Sequence, residues 1–396
     1  MDTHEQARQH FMQGAQHFEN GALEAARDEF EAARALAPER ASVLGNLGIT
    51  LFHLRCHDDA VPLLERATAA DPEYGEAWIA LGLSHEATRR WGEAAAALER
   101  GLALVPPHAP LWLSFGQCIA RLGHPREALQ AFERALELDP ALGAAWSARG
   151  GILRDLYRFT EAAQSFEQAL AHGADPELNH YYLAAVQGGP MPSAPPRHYV
   201  EGLFDDYSGD FETHLVEQLH YRGHERLIEP LLARNERYEN VIDLGCGTGL
   251  CARLIASHAD TIDGVDLSRA MLDQARASGA YRHLDHADIA TYLAQRTEPV
   301  DLVLAADVFI YVGELDGVFA QVRRLLRAGG CFAFTVEQPE TGEEGVHLLP
   351  SLRYAHSESY VRTLAARHGF EVRALQRAPL RDHADGAVDA LYVYLQ

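Results

Sequence analysis

Five glycines, Gly14, Gly48, Gly82, Gly116 and Gly150, stand 34 residues apart in the first half of a 396-residue chain. Other residue types keep step with them. Ala26, Ala60, Ala94, Ala128 and Ala162 each follow a glycine by 12 residues, and Pro38, Pro72, Pro106 and Pro140 follow by 24. Phe30, Leu64, Leu98, Phe132 and Phe166 hold one large apolar register, and Trp78, Trp112 and Trp146 stand four residues before their glycines. A fixed period of this size means stacked units, each too small to bury its own apolar face. Glycine and alanine sit where two helices cross closely, the large apolar residues fill the holes beside them, and proline ends the second helix. The fifth unit departs at its end, with Ala174 where proline is expected and Pro176 two residues later.

This pattern resembles the tetratricopeptide repeat. The resemblance implies an all-α solenoid of five helical hairpins over residues 1–188, with a helix from Glu177 to Gln187 capping the open apolar face. The concave surface would be lined by Phe18, Phe52, His53, Glu86, Gln117, Arg121, Arg154 and Asp155. That set is mixed, with no basic ladder and no Lys and Asn to clamp a terminal carboxylate, so each residue also reads as solvated helix surface. The array as a whole implies a peptide- or partner-binding scaffold, or a surface for self-association.

Four prolines and two glycines fall within Gln187–Pro196. Such composition breaks helices and marks a boundary, here a semi-stiff linker over 189–198. Beyond it, residues 199–396 read as an α/β domain. Its centre is Val241-Ile-Asp-Leu-Gly-Cys-Gly-Thr-Gly249, an apolar run that ends in an acid and is followed by glycine at every second position. The run reads as a buried parallel strand and the glycines as the turn that opens the next helix, where backbone can approach a ligand. A second acid, Asp266, ends the next apolar run 21 residues after Gly245. That is close to the ~20-residue spacing at which an acid reaches a ribose hydroxyl in a nucleotide-binding βαβ unit.

The loop lacks the dinucleotide spacing G-x-G-x-x-G. With an acid two residues before Gly245, it resembles the first motif of class I S-adenosylmethionine-dependent methyltransferases. The match continues through Asp266, Ala287-Asp288-Ile289, Val300 to Asp307, and Arg324 to Gly330. It implies a Rossmann-like domain whose seven-stranded sheet has the order 3-2-1-4-5-7-6, strand 7 antiparallel, with a helical lid over 199–235. It also implies S-adenosylmethionine as cofactor and S-adenosylhomocysteine as product.

The cofactor would be held by Asp243, Gly245, Cys246, Gly247 and Gly249 of the first motif, with Asp243 toward its cationic amino-acid end. Asp266 would accept the ribose hydroxyls, as suits an acceptor-only group, and Leu267 would pack on the adenine. Asp288 and Ile289 would take the adenine edge, although Asp288 also suits the N-cap of the helix that follows. Ala306 would line the site at the end of the fourth strand. From the lid, Tyr207 and Tyr221 would face the sulfonium and Arg222 the carboxylate. Phe204, Tyr207 and Phe211, three and four apart, equally form one apolar helix stripe.

Methyl transfer is a direct displacement, so alignment does most of the work, and a base serves only a protonated acceptor. Candidates are Asp307 and Tyr311 after the fourth strand, and His356 before the last helix. No Asn/Asp-Pro-Pro-aromatic sequence follows the fourth strand, which argues against methylation of nucleic-acid bases. The net charge of −23 agrees, because phosphate contacts need basic residues. The five cysteines are scattered without a C-x-x-C pair, so neither a disulfide framework nor a metal site is expected. With no leader-like start and no spanning apolar run, a cytoplasmic protein away from membranes is expected.

The expectation is therefore a methyltransferase acting on a protein, peptide or small molecule recruited with help from the repeats. A scaffold that binds the cofactor without turnover, and a dinucleotide oxidoreductase, are the alternatives.

Overall fold

The computed structural model describes residues 3–207, 221–339, 343–383 and 386–396. The chain divides into two compact units, Met1–Asn179 and His180–Gln396.

The first unit is helical. Its hairpins are α1 (Thr3–Glu19) with α2 (Leu23–Leu36), α3 (Ala41–His53) with α4 (His57–Ala70), α5 (Gly75–Ala87) with α6 (Trp91–Leu102), α7 (Ala109–Arg121) with α8 (Pro125–Leu138), and α9 (Gly143–Asp155) with α10 (Phe159–Ala171). A Cβ on any of the five periodic glycines would lie 2.5 to 2.8 Å from the large apolar side chain of the same repeat, from Phe30 through Phe166. The five periodic alanines are fully buried. The period thus records side-chain volume at a helix crossing, where an added methyl has no room. The tryptophans tie the turns: Trp78 Nε1 donates to Pro72 O at 3.0 Å and Trp146 Nε1 to Pro140 O at 2.9 Å. The fifth hairpin ends without proline because Gly173, at φ +73°, turns the chain instead, with Ala174 N donating back to Ala169 O.

The helix expected as the cap is α11 (Pro176–Gln187). Asp175 Oδ1 accepts the Leu178 N–H at 3.0 Å at its start. The division between units falls within this helix. Its later side chains, Tyr181 and Ala185, pack with Leu352 and Tyr354 of the second unit.

The second unit continues with α12 (Arg197–Tyr207) and α13 (Gly223–Leu232), then a sheet of nine strands. The parallel strands are β1 (Tyr238–Leu244), β2 (Ala259–Asp266), β3 (His283–His286), β4 (Val300–Ala305) and β5 (Leu326–Glu337). The closing hairpin is β8 (Val372–His383) and β9 (Gly386–Leu395). β9 lies antiparallel to both β5 and β8, giving β3-β2-β1-β4-β5-β9-β8, the order expected from sequence with its antiparallel strand in place. Alternate residues feed two cores. Ile242, Leu244, Val303, Phe332 and Phe334 enter one face, and Val241, Leu302, Leu304, Ala333 and Tyr392 enter the other. That two-sided burial explains the continuous apolar runs in the sequence.

The sequence reading has no counterpart for β6 (Val346–Leu348) and β7 (Tyr354–His356), an antiparallel pair. β7 joins the sheet in parallel at Glu337↔Ala355, while Glu337 also faces Ala390 of β9. The last pair between β4 and β5 is Ala305↔Phe334, so β7 takes the side of β5 that β4 has left. This hairpin also fastens the Pro/Gly-rich stretch. Tyr354 OH donates to Pro192 O at 2.8 Å, and Gly313 N donates to Ser193 O at 2.8 Å. Among the described residues no helix is long and apolar enough to cross a membrane.

Candidate functional site

The strand order reverses at β1, between β2 and β4, and in open α/β sheets ligands bind at the carboxyl end of such a point. Asp243 sits there, paired in register with Gly264 of β2 and Leu304 of β4. It is buried, and burial pushes its carboxyl up to about 7; the hydrogen bond from Tyr281 works against that rise and the nearby Asp266 adds to it. Tyr281 OH donates to Asp243 Oδ2 at 2.7 Å.

The glycine turn follows Asp243 directly. Gly245, Gly247 and Gly249 have φ of +63°, +53° and +91°, a region that side-chain-bearing residues rarely adopt. Gly245 is also closed in, since a Cβ there would lie 2.2 Å from Val308 Cγ2. Gly247 is the opposite, with no heavy atom within 4 Å of the same position. Thr248 is buried and its Oγ1 has no hydrogen-bond partner among the described residues. The Cys246 thiol is buried and pushed well above its ordinary range, chiefly by that burial, so it packs as a neutral filler.

Asp266 supports the turn from the end of β2. Its Oδ2 accepts the Gly247 N–H and its Oδ1 the Ser268 N–H, each at 2.9 Å. A carboxylate offers about four acceptor sites, so capacity remains for a ligand. Burial raises this carboxyl, opposed by the backbone donors of Ser268, Gly247 and Leu267. Ser268 in turn donates to Asp205 Oδ1 on α12 at 2.6 Å and accepts the Met271 N–H as the N-cap of α15 (Arg269–Ala277). Leu267 is half-buried, and its carbonyl accepts from the His286 ring at 2.7 Å.

The remaining expected residues divide. Asp288 Oδ1 accepts the Thr291 N–H at 2.8 Å as the N-cap of α16 (Ile289–Gln295), so this carboxylate serves the helix start. Ile289 and Ala306 are half-buried against the two cores. Asp307, directly after β4 and Ala306, has φ +52°, and its N–H donates to Thr335 Oγ1 at 2.7 Å. Tyr311 meets Phe204 of α12 edge-on, with ring centroids 5.3 Å apart. Asp307 and Tyr311 are both partly exposed beside the carboxyl end of β4.

Three of the expected residues have other neighbours in the fold. Tyr221 belongs to the second core, 4% exposed and stacked on His224 at 5.3 Å, because α13 packs its start beneath the sheet. Arg222 stands just before α13 without a side-chain capping bond, and its exposed guanidinium pairs with Glu225 at 2.6 Å, one turn on. His356 lies in β7 rather than at a solvated helix start. It is fully buried, bonded through Nε2 to Gly313 O at 2.9 Å, and burial lowers it to about 4, which makes it a poor base. The side chains of Tyr207 and Phe211 lie outside the described residues.

Tyr281 is the residue that sequence reasoning missed. Its ring fills the space left by two glycines, with a Cβ on Gly264 falling 2.8 Å from Cε1 and one on Gly249 3.1 Å from Cε2. Gly264 in the middle of an apolar strand was the available signal, since glycine there marks close approach of another group.

The site therefore has an open backbone concavity, an unpartnered buried hydroxyl and two acids, with no metal-ligating cluster among the described residues. That donor set fits a nucleoside carrying a cationic chain.

Comparison with known proteins agrees. The family described as a methyltransferase domain matches residues 242–332, and the tetratricopeptide repeat family matches residues 55–109 and 120–178. A malonyl-[acyl-carrier protein] O-methyltransferase of Legionella pneumophila is 31% identical over 168 residues, 41% of this chain and 58% of that protein. A trans-aconitate 2-methyltransferase of Rhizobium rhizogenes is 34% identical over 115 residues, 28% and 43% of the two chains. The chain thus spans about half the length of the curated relatives it matches. Among solved structures, a crystal structure of MamA is 23% identical with a TM-score of 0.38, covering 40% of this chain and 93% of that one. The chain joins tetratricopeptide repeats to a methyltransferase domain.

Proposed function

We propose that the second unit binds S-adenosylmethionine and transfers its methyl group to an acceptor that the repeats help to recruit. One observation carries the reading. The turn is open at Gly247 and is flanked by Asp243 and by Asp266, whose carboxylate holds the turn and keeps acceptor sites for ribose hydroxyls.

When bound, the cofactor supplies an electrophilic methyl on a sulfonium. The chain's own part is placement. Asp243 meets the cationic amino-acid end, Asp266 fixes the ribose, and Leu267, Asp288 and Ile289 border the adenine. Ala306, Asp307 and Tyr311, after β4, face the acceptor, where alignment and exclusion of water set the rate. A carboxylate acceptor arrives deprotonated and needs no base, which suits a chain whose base candidate His356 is buried and neutral. Two relatives are named for acid acceptors, malonyl-[acyl-carrier protein] and trans-aconitate, so carboxylic acids head the screen. The repeats bind the acceptor or a protein that presents it.

Calorimetric titration with S-adenosylhomocysteine, with NAD as control, tests the reading. Micromolar binding of the former alone supports it. Binding of NAD alone would favour the oxidoreductase alternative, and cofactor binding with no turnover on any acid, peptide or protein would favour the scaffold.

A further inference from the structure

We propose that Tyr281 is a positioning residue for the cofactor's amino-acid end: its hydroxyl holds Asp243 Oδ2 and leaves Oδ1 to receive the ligand's ammonium. The proposal rests on the cofactor reading above and adds a residue that no motif of the sequence marks.

The geometry supports it from three sides. The O–H donates to Asp243 at 2.7 Å and is the sole hydrogen bond to that carboxylate among the described residues. The ring cannot swing freely, because it is seated in the gaps over Gly249 and Gly264. The carboxylate itself is 1% exposed, so water offers little help in holding its charge. A donor aimed at a buried carboxylate favours the charged form, which is the form that attracts an ammonium.

The titratable groups around Asp243 are Tyr281 from the segment before β3, Asp266 from β2, Cys246 from the turn and Cys251 from α14 (Leu250–Ile255). Burial raises both thiols and the phenol well above their ordinary ranges, so all three stay protonated near neutrality. Asp266 repels charge on Asp243. Tyr281 is therefore the hydrogen-bonding group that opposes burial there.

The test measures S-adenosylhomocysteine affinity from pH 6 to 9 for the wild-type chain, Tyr281→Phe, Asp243→Asn and the double variant. Phenylalanine keeps the ring in its seat and removes the hydroxyl alone. Tyr281→Phe is expected to weaken binding roughly five- to tenfold at pH 7 and to shift the pH dependence upward, with affinity recovering toward pH 9. In the Asp243→Asn background the same change is expected to do nothing further, because Tyr281 acts through Asp243. A wild-type pH profile in Tyr281→Phe, or a full and additive loss in the double variant, would overturn the role. Absence of binding by the wild-type chain would overturn the cofactor reading, and this role with it.

Discussion

Asp266 Oδ2 accepts the N–H of Gly247 at 2.9 Å, so the acid from β2 holds the tip of the glycine turn that leaves β1. Turn and acid, 19 residues apart in the chain, form one unit. Each can be broken separately.

Gly247→Val is expected to abolish binding of S-adenosylhomocysteine. Valine would be strained at φ +53° and its side chain would occupy the open space above the turn. The periodic packing of the repeats involves other residues, so helical circular dichroism should stay near that of the wild type. Unchanged affinity in calorimetry would remove the turn from the binding site.

For Asp266→Ala we expect binding weaker by about 1–3 kcal/mol, as for loss of a charge-assisted bond. The variant also releases the Gly247 and Ser268 N–H groups, so part of the loss will come from a loosened turn. Asp266→Asn, which keeps an acceptor, should lose less. Wild-type affinity in both would mean that the ribose is held elsewhere.

His356 gives a pH dependence of stability with a definite sign. Its folded-state value is lowered to about 4, chiefly by burial, so between there and its ordinary value near 6.5 the unfolded chain binds more protons than the folded one. Stability therefore falls as pH drops through that window, by up to about 3 kcal/mol from this residue. Asp243 acts in the opposite direction, since its raised carboxyl favours the folded state at lower pH. His356→Gln should flatten the loss of stability on acidification, read from urea melts at pH 7 and pH 5. The same slope in both chains would show that the imidazole does not carry it.

The Pro/Gly-rich stretch packs closely on Gly313. A Cβ there would lie 2.8 Å from Ser193 O and 2.9 Å from the Tyr354 ring. Gly313→Val should push the stretch off its seat, and proteolysis between residues 187 and 197 should rise at least severalfold. An unchanged digestion pattern would mean that the chain accommodates the side chain by moving elsewhere.

The parts legible in the sequence were those fixed by steric rules with short reach. The 34-residue period reports a glycine facing one large side chain within a hairpin, and the two-sided apolar runs report buried strands, whereas the strand order came from the resemblance carried by the glycine turn and its acids. Asp288 was legible in both of its guises, and the structure realises its capping one. The missed or misplaced residues depend on long-range neighbours. Tyr281 matters because Gly264 and Gly249 leave it a seat, and nothing around position 281 in the chain announces that. His356 reads from the sequence as a base candidate before the last helix, yet the pairing of β7 with β5 draws it inside. Arg222 looked available for a ligand carboxylate until the turn of α13 brought Glu225 beside it.

The anchoring of α11 bears on how the second unit can be produced alone. Tyr181 OH donates to Leu352 O at 2.7 Å, and its ring lies 6.3 Å from that of Tyr354. A fragment begun at residue 199, where the sequence reading starts the α/β domain, would omit Tyr181, Ala185 and Met191 and leave the apolar sides of Leu352 and Tyr354 bare. Such a fragment would be prone to aggregate on expression, whereas one begun at Pro176 would keep its own cover.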